Sequence, residues 1–213
     1  IKEAVIARAR LTRDAIVDVA FALADRDGID ALSMRRVAGE LGVEAMSLYN
    51  HVSDKGDLEV ALVGRVWAAV DLALDEPDGR KALHRLSGSA HRALRAHPWF
   101  FRLSLPRNGG VERLTVIDAT LGHLAQLGLD DGLAFHALHV IDGFVYGYAW
   151  QASEFDGVDE PAAADIERML EPYPRIRAHA AQHRAGDVAG NGFDIGLDLL
   201  LDGLLLRAQP GVG

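Results

Sequence analysis

The chain has 213 residues, 49% of them hydrophobic, with 22 Lys and Arg against 31 Asp and Glu, a net charge of −9 and no Cys. That length fits one large or two small domains, and the missing thiols exclude disulfides, zinc–thiolate sites and cysteine nucleophiles. The acidic balance argues against indiscriminate nucleic-acid binding but allows a binder whose few cations gather where the nucleic acid lies. Arg8, Arg10, Arg13, Arg35, Arg36 and Lys55 all fall within the first 55 residues, among many acids.

No run approaches the roughly 18 apolar residues of a membrane span. The opening "IKEAVIARAR" has no signal-peptide core and no initiator Met. A cytoplasmic, membrane-free protein is expected. Thr12 reads as a helix N-cap, with Ile16, Val19, Ala20 and Leu23 following at helical spacing and Gly28 as the stop. Ser33 reads as a second cap. The helix "SMRRVAGEL" ends at Gly42, a residue suited to a left-handed stop. A third helix is expected from about Glu44 to His51. Ser53 or Asp54 then caps a fourth, with Leu58, Leu62 and Val66 on one side. "DEPDG", Asp75 to Gly79, reads as a linker. Four long apolar-periodic segments follow, and residues 157–174 read as a loop with one short helix. No stretch reads as a strand. The expected fold is all-α: a three-helix helix-turn-helix domain over 1–58 and a helical ligand-binding and dimerisation domain over 59–213.

Gly42 between two short helices marks a helix-turn-helix, whose second helix enters the major groove. Ala45, Met46, Ser47, Tyr49, Asn50 and His51 suit a reading face that is polar but not bulky, while Leu48 and Val52 face inward. Asn matches adenine, and small or apolar side chains meet the thymine methyl. Lys55 adds a charge for phosphate at the next helix start. A solvated corner of an ordinary helical protein fits the same spacing.

"GIDALSMRRVAGELGVEAMSLYNHVSDKGDL" resembles the N-terminal signature of the TetR family of bacterial repressors. The matching features are Gly-Ile after the first helix, the Ser cap, "RRVAGELGV", "SLYNHV" and the Lys-Gly-x-Leu start of the fourth helix. "GFVYGYAWQASEF" and "FDIGLDLLLDGLLLR" resemble the tetracycline-repressor-like branch more loosely. The resemblance implies an all-helical homodimer that binds palindromic double-stranded operator DNA and releases it when a small molecule binds the C-terminal domain. It also implies contacts from Ser33, Met34 and Arg35 on the second helix. It departs from that branch at Ala45-Met46, where the branch has Gln-Pro, and at Asn50, where it has Trp. The operator sequence therefore does not carry over. "FRLSLP" places Phe101 where the branch has a magnesium-binding His, so a tetracycline–magnesium effector is not expected.

A small hydrophobic effector needs apolar walls with a few polar groups. "HPWFFRLSLP" supplies Trp99, Phe101 and Leu105, with Trp67 of the fourth helix facing them. Phe135, His139, Asp142, Tyr146 and Trp150 share a face of a later helix. Aromatics at this spacing also serve as plain core. The fourth helix, from Lys55 to Trp67, is expected to couple effector and DNA. No cofactor and no metal site are expected. His179 and His183 have ligand spacing but no accompanying motif. For dimerisation, Leu197, Leu200, Leu201 and Leu204 form an apolar stripe. Gly143, Gly147 and Gly196 would permit close approach. An intrachain core helix remains the alternative. No nucleophile elbow, P-loop or dinucleotide fingerprint supports an enzyme; a helical carrier or an enzyme without DNA binding is the competing class.

Overall fold

A computed structural model describes residues 11–104, 110–155, 163–185 and 191–208. All regular structure in them is helical. In chain order the helices are α1 (Arg13–Asp27), α2 (Met34–Leu41), α3 (Ala45–Leu48), α4 (Lys55–Ala68), α5 (Gly79–Ala96) and α6 (Phe100–Ser104). They continue with α7 (Gly110–Gln126), α8 (Asp131–Phe155), α9 (Ala163–Leu170), α10 (Pro174–Ala185) and α11 (Gly192–Ala208). The chain divides into two compact units, one of residues 1–72 with 92–120, the other of 73–91 with 121–213.

The caps of the first unit are the ones the sequence predicts. Thr12 Oγ1 accepts the Ala15 N–H at 3.2 Å, and Ser33 Oγ the Arg36 N–H at 3.3 Å. Of the two candidates before α4, Asp54 is the cap, accepting from Asp57 N–H at 2.8 Å. Gly42 closes α2 at φ 65°, ψ 30°, and the Val43 N–H reaches back to the Ala38 carbonyl at 3.0 Å. Together these bonds satisfy end groups a helix otherwise leaves open. α1 packs on α2 and α4, α2 on α3, and α4 on α6. Ile16, Ala20, Leu48, Leu58, Leu62 and Phe100 are fully buried.

α3 is shorter than expected. Its regular turns end at Leu48, and residues 49–51 continue as a turn closed by His51 N–H to the Leu48 carbonyl at 2.9 Å. Leu48 and Val52, at 0% and 2% exposure, both point inward. Burying both while the chain turns toward α4 accompanies this tightening.

In the second unit α11 packs on α8, and α9 on α10. α11 has three faces. Phe193, Leu197 and Leu201 are buried in the unit's own core. Asp198 and Asp202 lie 2.9 and 2.8 Å from Arg80 Nη2 of α5. Ile195, Leu199 and Leu206 are exposed, at 45%, 71% and 58%. The expected dimer stripe is therefore corrected: Leu197 and Leu201 face their own chain, while Leu200 and Leu204 are half-buried. Gly196 also faces inward, since a Cβ there would stand 2.8 Å from the Phe144 ring. A helix apolar on two sides shows both in its sequence, and only packing tells them apart.

Candidate nucleic-acid interface

The exposed surface around the Gly42 turn carries Arg35, Met46, Tyr49, Asn50, His51 and Lys55, with Met46 75% and Tyr49 46% exposed. Ser33, Met34, Ala45 and Ser47 are half-buried at its edge. The Ser33 hydroxyl is engaged as the α2 cap.

Neighbouring charges sort this surface. Arg36 is used internally, pairing with Asp27 and donating to the Ala31 carbonyl. Arg26 joins Asp27 to Glu40. Arg35 has no ion pair or hydrogen bond among the described residues, and the same holds for the side chains of Tyr49, Asn50 and His51. Polar groups already exposed and unpaired give up only water when they meet base edges or phosphates. Lys55 Nζ sits 3.5 Å from Glu59, a loose pair whose lysine is exposed.

This face is held from behind by a pair that sequence reading missed. Arg13 donates to both carboxylate oxygens of Asp57, at 2.8 and 2.6 Å, and to the His51 carbonyl at 3.3 Å. Asp57 also accepts the Ser53 N–H at 2.9 Å. The Arg13 hydrogen bond, then the Ser53 N–H, hold the Asp57 carboxyl down at about 2. The available signal was positional: Asp57 follows the Asp54 cap by three residues, where an acid can reach back to the preceding backbone.

The expected effector residues fall in both units. In the first unit, Trp67 is buried edge-on to Phe100, with the Arg113 guanidinium 4.4 Å above its ring. Trp99 is buried and donates its indole N–H to Asp25 at 2.6 Å. Phe101 is half-buried beside Phe100. Leu105 lies outside the described residues, as does the side chain of His183. In the second unit, Phe135 is 58% and Trp150 49% exposed. His139 is exposed against the Phe135 ring at 4.6 Å, and Asp142 and Tyr146 are half-buried. Sequence reading passed over Ser87 and His91, one turn apart on α5 and buried. His91 stacks on Phe193 at 4.0 Å and meets Tyr148 edge-on. Among the described residues no three His, Cys, Asp or Glu side chains gather as a metal site.

α4 is the expected coupling element. α4 lies wholly in the first unit, whereas α5 and α7 contribute residues to both.

A helix-turn-helix with an exposed polar face, in a chain that also folds a second helical unit, fits a class: ligand-responsive DNA-binding regulators. Residues 16–62 match the family described as bacterial regulatory proteins, tetR family, and residues 73–208 match the tetracyclin repressor-like C-terminal domain. The chain belongs to the TetR family. It is 33% identical to the HTH-type transcriptional repressor DrrR1 of Streptomyces coeruleorubidus, over 93% of this chain and 79% of that one. It is 28% identical to the class D tetracycline repressor protein of Escherichia coli, over 92% and 89%. The structure of ActR from Streptomyces coelicolor in complex with actinorhodin superposes with a TM-score of 0.73 at 30% identity, over 94% of this chain and 99% of that one. The chain is thus a ligand-responsive DNA-binding transcriptional regulator, not an enzyme. Among the described residues no helix is long and apolar enough to cross a membrane.

Proposed function

We propose that the protein is a cytoplasmic homodimeric repressor that holds a palindromic operator and releases it when a small hydrophobic effector binds. The observation that carries this reading is the exposed face of Arg35, Tyr49, Asn50 and His51, unpaired among the described residues and held from behind by Arg13 and Asp57. Residues 1–58 serve as the DNA-binding domain and 59–213 as the effector-binding and dimerisation domain. This division of labour differs from the division by packing, because α6 and part of α7 belong with the DNA-binding helices. The exposed stripe Ile195, Leu199 and Leu206, and the open side of α8 at Gly143, supply the dimer face. The effector is a polycyclic aromatic molecule, a reading supported by the structure of ActR in complex with actinorhodin. Phe135, His139, Asp142, Tyr146 and Trp150 of α8, with Ser87 and His91 of α5, are its proposed contacts.

The test begins by selecting a duplex from random DNA with the full-length protein. Two half-sites about one helical turn apart are expected. Tyr49→Ala and Lys55→Ala should weaken binding to every sequence, and Lys55→Ala should reduce the salt slope by about one. Asn50→Ala and Arg35→Ala should relax base preference, at about 1–3 kcal/mol for a well-made base contact. Wild-type affinity and preference in all four variants would refute the recognition face. Actinorhodin, titrated into the complex, tests the effector class directly through release of the duplex.

A further inference from the structure

One carboxylate oxygen of Asp25, on α1, meets two side chains from the segment that follows α5. His97 Nδ1 lies 2.7 Å from it and Trp99 Nε1 2.6 Å. His97 comes directly after Ala96, the last residue of α5, and Trp99 directly precedes α6. Phe21, one turn before Asp25, packs edge-on against both rings, with centroids 4.6 and 5.4 Å apart. Arg102 of α6 pairs with Asp30, just beyond the end of α1. Three side chains between 97 and 102 are therefore tied to residues 21–30. Trp99 is 6% exposed, so water is poorly placed to replace the acceptor of its N–H. At the opposite end of the same helix, Arg13 grips Asp57 and the His51 carbonyl behind the recognition face.

We propose that Asp25 is a positioning residue that makes α1 a strut between the end of α5 and the DNA-reading surface. A displacement at Ala96 reaches α1 through His97, Trp99 and Asp25, and reaches His51 and Asp57 through Arg13. α5 has residues 79–91 in the second unit and 92–96 in the first, so a shift of this helix on effector binding enters the strut directly. The inference rests on the effector-released regulator proposed above and names a route besides α4. Coupling is reciprocal, so DNA held at one end of the strut must be felt at the other.

The full-length protein labelled with 5-fluorotryptophan reads this out by fluorine NMR, with the signals of Trp67, Trp99 and Trp150 assigned from Trp→Phe variants. The probe is the duplex selected by the wild-type protein. Saturating duplex should move the Trp99 signal in wild type. Arg13→Gln cuts the far end of the strut and leaves the Trp99–Asp25 contact in place. It should keep the DNA-free Trp99 signal and lose most of the duplex-induced shift. Asp25→Leu should lose that shift as well, and Asp25→Asn, which keeps an acceptor, should retain part of it. If Asp25→Leu does not fold, Arg13→Gln and Asp25→Asn decide. A Trp99 signal unmoved by duplex in wild type, or a full shift in Arg13→Gln, overturns the strut while leaving the DNA-binding reading intact. Failure to select any duplex overturns both.

Discussion

Asp57 shows how much of the proposed DNA-binding surface depends on one carboxylate. It accepts from Arg13 and from the Ser53 backbone, and its pKa falls from 3.8 to about 2. A depressed carboxyl stabilises the fold above its unfolded pKa and loses that contribution as pH falls through the folded one. Asp57→Asn should therefore lower stability at neutral pH. A partly exposed pair of this kind is worth about 1 kcal/mol, or about 2–4 °C in Tm for a chain of this size. The difference from wild type should be constant above pH 5, shrink as pH falls below 3.8 and vanish below about 2. Thermal melts across that range check it; a difference that grows on acidification would contradict the assignment. The capping position of Asp57 was legible in "SDKGD". Its partner lies 44 residues away, and no local pattern announces that contact. The adjacent arginines teach the same lesson: the sequence offers Arg35 and Arg36 alike, and Asp27 decides that Arg36 is structural.

Two glycines separate backbone from packing at the level of helices. Gly42 holds φ 65° at the end of α2, and a Cβ there would meet nothing within 4 Å. Gly42→Ala therefore pays only the left-handed backbone cost, about 1 kcal/mol. Gly196 is helical, and a Cβ there would stand 2.8 Å from two Phe144 ring carbons. Gly196→Ala must push α11 from α8 or turn the Phe144 ring, at about 1–3 kcal/mol. Denaturant unfolding should show both losses. Near-ultraviolet circular dichroism should change with Gly196→Ala, where aromatic packing is disturbed, and stay the same with Gly42→Ala. The turn glycine was readable because a helix stop between two short helices has few solutions. The packing glycine was read as a seam for a partner, because sequence spacing does not say which neighbour fills the space above it.

At the scale of the whole molecule, α11 presents a second, exposed apolar face. Leu199 is 71% exposed, and Leu201, two residues on, is 0% exposed. If the outer face meets a second copy, Leu199→Asp should convert dimer to monomer in sedimentation with little change in helix content. Leu201→Asp should instead unfold the second unit, since a buried unpaired carboxylate has no compensation. A fully dimeric Leu199→Asp variant would remove this face from the interface. Such a dimer would bear on DNA binding, because two half-sites would multiply the reach of a face with few cations on a chain of net charge −9.

The sequence by itself determined the helical class, the caps at Thr12 and Ser33, a cap at Ser53 or Asp54, the Gly42 turn and the inward pair Leu48 and Val52. These are local matters: end groups must be satisfied, and apolar residues at helical spacing define one side. It also carried the TetR signature over the first helices. Only the tertiary structure decided which acid answers each arginine, which stripe of α11 is core, and that Trp67 and Trp99 are buried against Phe100 and Asp25. Those choices depend on residues brought together from 74 positions apart in the case of Asp25 and Trp99. A side chain's spacing places it on a face of its helix, but the neighbour that meets that face is chosen by the packing of the whole unit.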